Sequence, residues 1–259
     1  MNATRITRIL GQVGIFALFF ILWEALVDVL KIKPVILPAP SAIFLTIGKH
    51  WPYLLQNTWP TAYAIALGFS LAVVFGVVIA IGIVYSRWVS ELTYPFLVTA
   101  QVVPKIALAP LFLIWFGFGL TPKVVIAALI AFFPIVINTV RGLSSVEPEL
   151  IQYMRSIGAS WREIFLKISL PWALPYVFAS FKISIGLAVV GVVVGEFVAS
   201  DNGLGYVISY SNISLDTEVM FAGIFVLSAL GILFFLAIVL LESLVLSWQT
   251  EIEGTPATM

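Results

Sequence analysis

Six long apolar runs decide what this chain can become. They cover residues 11–30, 58–84, 94–116, 123–140, 172–199 and 219–247 of 259. A helix crosses the hydrocarbon core of a bilayer with about 17–25 mostly apolar residues, and every run reaches that length. Only 10% of the residues are charged, against about 25% in soluble domains, so a hydrated surface cannot be assembled from this set. Hairpins alternating every second residue do not recur, which argues against an outer-membrane barrel. The expected fold class is all-α and polytopic, with about six transmembrane helices forming one transmembrane domain over 1–259 and a frayed, disordered tail at 249–259.

What is absent removes whole classes of function. Thirteen Lys and Arg balance thirteen Asp and Glu, so there is no basic footprint for nucleic acid. With no cysteine and one histidine, His50, disulfides, thiolate metal sites and histidine clusters are excluded. The nearest approach to a phosphate loop is Gly48-Lys49, which has Ile43 where the first Gly should stand. Neither Gly-x-Ser-x-Gly nor His-Glu-x-x-His occurs. The chain is therefore read as a non-enzyme with no catalytic residue, cofactor or metal; any ATP must bind another chain.

Arg5 and Arg8 precede the first run as in a secretory signal, but that run is long, holds Glu24 and Asp28, and lacks a small-x-small cleavage site. It reads as a retained helix. With the N-terminus inside, Arg5, Arg8, Arg87, Arg141, Arg155, Arg162 and Lys167 fall on one side and Lys31, Lys33, Lys49 and Lys123 on the other. Seven against four places both termini in the cytoplasm, with external segments at about 31–57 and 200–218 and an internal loop at about 141–171.

Small residues recur every fourth place in the second run, at Ala64, Gly68, Ala72, Gly76 and Ala80. The fifth run repeats the device at Ser180, Ser184 and Ala188, then at Gly191, Gly195 and Ala199. Such faces let helix backbones approach closely. Fixed packing inside one subunit and a sliding face shared by two conformations both fit the spacing.

The stretch 145–171 is too polar to span and too patterned for a plain connector. Pro148 suits the first turn of a helix, along which Leu150, Ile151, Met154 and Ile157 form one stripe. Gly158 suits a left-handed terminus. Ser160 and Glu163 have capping-box spacing, and Trp161, Ile164, Phe165 and Ile168 form a second stripe. The expectation is a short amphipathic helical hairpin closed by Leu170-Pro171, lying in the headgroup interface or inserted into a groove on a partner protein.

Gly158, nine intervening residues and then Ile168-Ser169-Leu170-Pro171 resemble the cytoplasmic signature of bacterial ATP-binding-cassette importer permeases. That signature normally opens with Glu-Ala-Ala, where this chain has Gln152-Tyr153-Met154. Two further stretches resemble the nitrate/sulfonate/taurine branch. One is Pro104-Lys105-Ile106-Ala107-Leu108-Ala109-Pro110-Leu111 with Trp115-Phe116-Gly117-Phe118-Gly119; the other is Gly195-Glu196-Phe197 with Gly203-Leu204-Gly205-Tyr206. The resemblance implies a homodimer of this chain in the bacterial inner membrane, two cytoplasmic ATPases that hold ATP and Mg, and a solute-binding protein. It further implies that Met154, Arg155, Gly158, Ala159, Trp161, Ile168, Leu170 and Pro171 couple the permease to the ATPase. The implied cargo is a small anionic or heteroaromatic solute.

Charges inside apolar runs are expensive and by default functional. Lys105 lies mid-run between Pro104 and Pro110, each of which removes a backbone donor. A broken, cavity-facing segment follows, with Lys105 on the translocation path, paired with an acid such as Glu196, or reaching towards the interface. Asn138 and Glu196 complete the expected path or gate. Lys182 and Glu242 are expected to pair or to reach the interface. On charges alone, an ion-coupled secondary transporter or channel is the alternative class.

Overall fold

The computed structural model describes residues 3–247, which contain helices and no strand. The elements are α1 (Ala3–Val29), α2 (Pro40–Lys49), α3 (Trp51–Tyr85), α4 (Arg87–Val102), a 3-10 turn (Lys105–Leu108), α5 (Ala109–Phe116), α6 (Leu120–Ser144), α7 (Pro148–Ser156), α8 (Trp161–Ile164), a π-helical segment (Phe165–Ser169), α9 (Leu170–Ala199), α10 (Leu204–Ile213) and α11 (Thr217–Val245). The tail expected at 249–259 lies outside the described residues.

Four helices among the described residues are long and apolar enough to cross a bilayer: Trp51–Tyr85, Leu120–Ser144, Trp161–Val198 and Thr217–Val245. The first apolar run, all but its last residue, lies within α1, which is 27 residues long. The third run, expected as one span over 94–116, is not straight. Arg87–Val102 and Lys105–Phe116 are bent by 89°. Proline disfavours the helical conformation in the residue before it, and Val103, just ahead of Pro104, is extended at φ −65° and ψ 128°. The supposed external loops also hold helices: α2 and the start of α3 lie within 31–57, and α10 lies within 200–218.

Contacts group into two units. In the first, which comprises the chain through Trp59 together with Asn202–Ser228, Trp23 and Phe20 of α1 meet Phe225 of α11, and Phe20 also meets Phe44 of α2. Side-chain hydrogen bonds add to this packing. Ser41 donates its N–H and hydroxyl to Glu24 at 3.0 and 2.6 Å, and the Thr46 hydroxyl donates to Glu218 at 2.9 Å. Glu24 thus bridges α1 and α2.

In the second unit, Pro60–Asp201 with the chain from Ala229 onward, α6 is packed between α3 and α9. The small-residue faces are points of close helix contact. A Cβ on Gly68 would sit 2.6 Å from Ala127 Cβ, one on Gly76 2.8 Å from Ile135, and one on Gly191 2.6 Å from the Ala127 backbone. Ala64, Ala72, Ala80, Ser180, Ser184 and Ala188 are all buried.

Candidate functional site: an exposed hairpin and a broken helix

The hairpin is built by local chemistry. Pro148 opens α7, where its missing N–H is one of the orphans of the first turn. Gly158 adopts φ +82°, its N–H donates to Arg155 O at 3.0 Å, and Ala159 N–H donates to Met154 O at 3.0 Å. This 6→1 and 5→2 pair satisfies the last carbonyls of α7, and its left-handed residue favours glycine. At α8 the capping box closes: the Glu163 N–H donates to Ser160 Oγ at 3.4 Å, while the Ser160 N–H donates to Glu163 Oε2 at 2.9 Å.

Beyond α8 the chain departs from expectation. The hairpin does not close at Leu170-Pro171; the helix runs on through a π turn, Leu170 N–H donating to Phe165 O, into α9. Pro171 has no N–H for the Lys167 carbonyl, and its ring would clash there in a regular α-helix. The one wider turn relieves the conflict. The hairpin is thus joined to a long apolar helix without an interruption.

One half of the hairpin is anchored and the other is not. Tyr85, at the end of α3, meets Trp161 at 5.4 Å and Phe165 at 5.7 Å between ring centroids, and the latter two stack at 5.8 Å. Ile164 and Ser169 are buried, while Ile168, Leu170 and Pro171 are half-buried. On α7 no residue is buried. Tyr153 and Ile157 are 62% and 61% exposed, Arg155 is exposed and Met154 half-buried. Gly158 faces open space and Ala159 is half-buried.

At the broken helix, Lys105 Nζ donates to Gln101 O at 3.1 Å and lies 4.4 Å from the centroid of the Phe133 ring. Gln101 lies in the last turn of α4, whose carbonyls have no intrahelical donor, so the ammonium completes that terminus. Among the described residues no carboxylate forms an ion pair with Lys105. Pro104 precedes the 3-10 turn and Pro110 sits in the first turn of α5, where a proline is tolerated. Asn138 turns back on its own helix, donating Nδ2 to Pro134 O at 2.9 Å.

Glu196, one of the partners considered for Lys105, is engaged elsewhere. Thr61 Oγ1 donates to its two oxygens at 2.8 and 3.1 Å, and Lys123 Nζ lies 3.7 Å from Oε1. Lys123, expected on the external side at the first residue of its run, is 2% exposed and lies inside α6, and Glu196 is 1% exposed. Gly195 makes the approach possible, since a Cβ there would fall 2.9 Å from Lys123 Cα. Lys123 and Thr61 were missed as parts of a site. The available signal was positional: Lys123 lies three residues into its helix and Glu196 three residues from the end of the next span, so antiparallel packing sets them level. Lys182 and Glu242 form the expected pair at 2.9 Å.

Residues 72–247 match the family of binding-protein-dependent transport system inner membrane components. The chain is 34% identical over 237 residues to the formylaminopyrimidine transport permease of Halalkalibacterium halodurans, covering 91% of this chain and 94% of that protein. It is 35% identical to the riboflavin transport system permease of Chloroflexus aurantiacus, over 93% and 91% of the two chains. The putative aliphatic sulfonates permease of Bacillus subtilis is 32% identical, over 92% and 87%. In fold the chain is similar to a subunit of the MetNI methionine ABC transporter in an inward-facing form, with a TM-score of 0.64 and 22% identity over 74% of this chain and 95% of that one. With its apolar spans, this chain belongs to the binding-protein-dependent transport system inner membrane components, the multi-pass permeases of ATP-binding-cassette importers.

Proposed function

We propose that two copies of this chain form the pathway of an importer, each carrying one cytoplasmic ATPase on its 148–168 hairpin, with a solute-binding protein delivering cargo from outside. Both termini face the cytoplasm in this arrangement, and the membrane chain itself holds neither ATP nor Mg. The observation that carries the reading is the asymmetry of the hairpin. Its second helix is keyed to Tyr85 and continuous with α9, while its first helix presents Tyr153, Ile157, Met154 and Arg155 to a partner. A partner pushing on α7 moves Gly158, Ala159 and Trp161, and through Ile168, Leu170 and Pro171 it moves α9 and the path beside it. ATP binding then biases a helix bundle with two arrangements, which is all that alternating access requires.

The relatives named for formylaminopyrimidine, riboflavin and sulfonates support a small heteroaromatic or anionic solute. Pro104, Lys105, Pro110 and Asn138 belong to the path in this reading. Glu196, clamped to Lys123 and Thr61, holds the ends of α6 and α9 that flank it.

The test is a pair of substitutions at Gly158. Valine is strained at φ +82° although no neighbour obstructs it, whereas asparagine tolerates the left-handed region. In the reconstituted transporter, Gly158→Val is expected to abolish ATP-driven uptake while the chain still inserts and ATP is still hydrolysed. Gly158→Asn retains most of the uptake. Wild-type uptake by Gly158→Val would overturn the coupling role.

A further inference from the structure

The groove between α4 and α6 has a chemistry of its own. A cavity of about 400 Å³ at the break is lined by Phe96, Thr99, Lys105, Leu129, Phe132 and Phe133, among others. That volume suits a one- or two-ring solute, since small-molecule pockets run from about 300 Å³ upward. Its wall is almost entirely apolar and aromatic. The exceptions among the residues named are the Thr99 hydroxyl, turned back on the Pro95 and Phe96 carbonyls, and the Lys105 ammonium. An ammonium has three donors; one reaches Gln101 O, the Phe133 face lies beneath, and no carboxylate forms an ion pair with the group among the described residues.

A second cavity of about 340 Å³ continues along α6, lined by Tyr94, Gln101, Ile137, Val140 and Arg141 among others. Here too the only charged lining group is a cation. From Phe133 to Arg141 is eight residues, about 12 Å of helix rise. Neither cavity is lined by an acid among the described residues. Lys105 is half-buried beside this groove and Arg141 is exposed at its far end, so each cation is open to a negatively charged group that enters.

We propose that this groove is a solute-binding site for a flat aromatic anion, its ring among Phe96, Phe132 and Phe133 and its charged group on Lys105, with Arg141 as the next station along α6. The proposal rests on the transport reading above and specifies the class of solute that passes. An anionic lipid headgroup offers the same charge to Lys105 but not the ring, and the two sources separate by experiment.

The full-length chain, purified into phosphatidylcholine nanodiscs, is photolabelled with 4-azidobenzenesulfonate and mapped by peptide mass spectrometry. Label is expected in the peptides holding residues 96–105 and 129–133. Excess benzenesulfonate suppresses it; neutral benzenesulfonamide, ringless methanesulfonate and added phosphatidylglycerol do not. Losing the charge-assisted contact in Lys105→Met lowers labelling about tenfold, while Lys105→Arg retains it. Phe96→Ala, at a ring 68% exposed and so cheap for folding, also lowers it. Undiminished labelling in Lys105→Met, equal suppression by the sulfonamide, or suppression by phosphatidylglycerol would overturn the proposal. Because labelling needs no ATPase, it stands or falls separately from the Gly158 test: coupling fails with Gly158, the pocket with Lys105.

Discussion

Lys123 and Lys105 are both lysines of the apolar runs, and their surroundings could hardly differ more. Lys123 is buried against Glu196, with Thr61 donating to the same carboxylate and Asp201 close enough to interact. Around it α6 and α9 are drawn together at Gly191 and Gly195, where no side chain fits. Lys105 sits where the chain bends by 89°, with a carbonyl and a ring for company and an aromatic cavity beside it. A charge neutralised within the fold fixes helices relative to one another. A charge left to a cavity can serve a passing molecule. If the contrast is correct, substitutions at the first lysine damage the fold, and substitutions at the second damage only function.

The largest expected loss follows from opening the clamp. Glu196→Gln leaves the Lys123 ammonium buried beside a neutral amide, and removing one partner of a buried pair costs about 3–5 kcal/mol. Asp201 remains near, so the low end, about 3 kcal/mol, is expected from thermal unfolding in detergent. The double substitution Lys123→Met with Glu196→Leu should recover most of that. An unchanged melting temperature in Glu196→Gln would erase the distinction between the two lysines.

Next comes the helix seam that brings the clamp together. Gly191→Val drives a side chain into the Ala127 backbone, and overpacking of this kind costs about 1–3 kcal/mol. Gly186→Val on the same helix meets nothing within 4 Å and serves as the control. Equal stability of the two variants would mean that the seam is not as tight as described. A smaller effect is expected at the hairpin. Ser160→Ala removes one half of the capping box and costs about 1 kcal/mol. It should appear as faster amide exchange confined to α8, with global melting unchanged. The smallest stability change belongs to Lys105→Met, less than about 0.5 kcal/mol for a side chain outside the packed core. A melting shift as large as that of Glu196→Gln would make Lys105 structural as well.

The hairpin was legible because its signals are local. Pro148, Gly158 and the Ser160–Glu163 pair each act within a few residues, so spacing alone located both helices and the left-handed turn between them. The small-residue faces were legible as packing surfaces for the same reason. Three features were not. The right angle at Val103 follows from a pre-proline residue, but whether a chain kinks or breaks there depends on what packs against the prolines. The π turn at Phe165–Ser169 resolves a conflict between Pro171 and helix continuation that a sequence reader settles by ending the helix. The Lys123–Glu196 pair joins residues 73 apart in sequence, and Lys123 looked like the polar edge of a span until α6 was seen to start at Leu120.

The most direct measurement is native mass spectrometry of the tagged chain, extracted in mild detergent with whatever it holds. A complex of two copies of this chain and two copies of an ATPase chain is the expected result, with the ATPases lost from a variant whose α7 surface is altered at Tyr153 and Ile157. A homo-oligomer without an ATPase, recovered in several detergents, would contradict the hairpin's role as a docking element and favour an ion-coupled carrier built around Lys105.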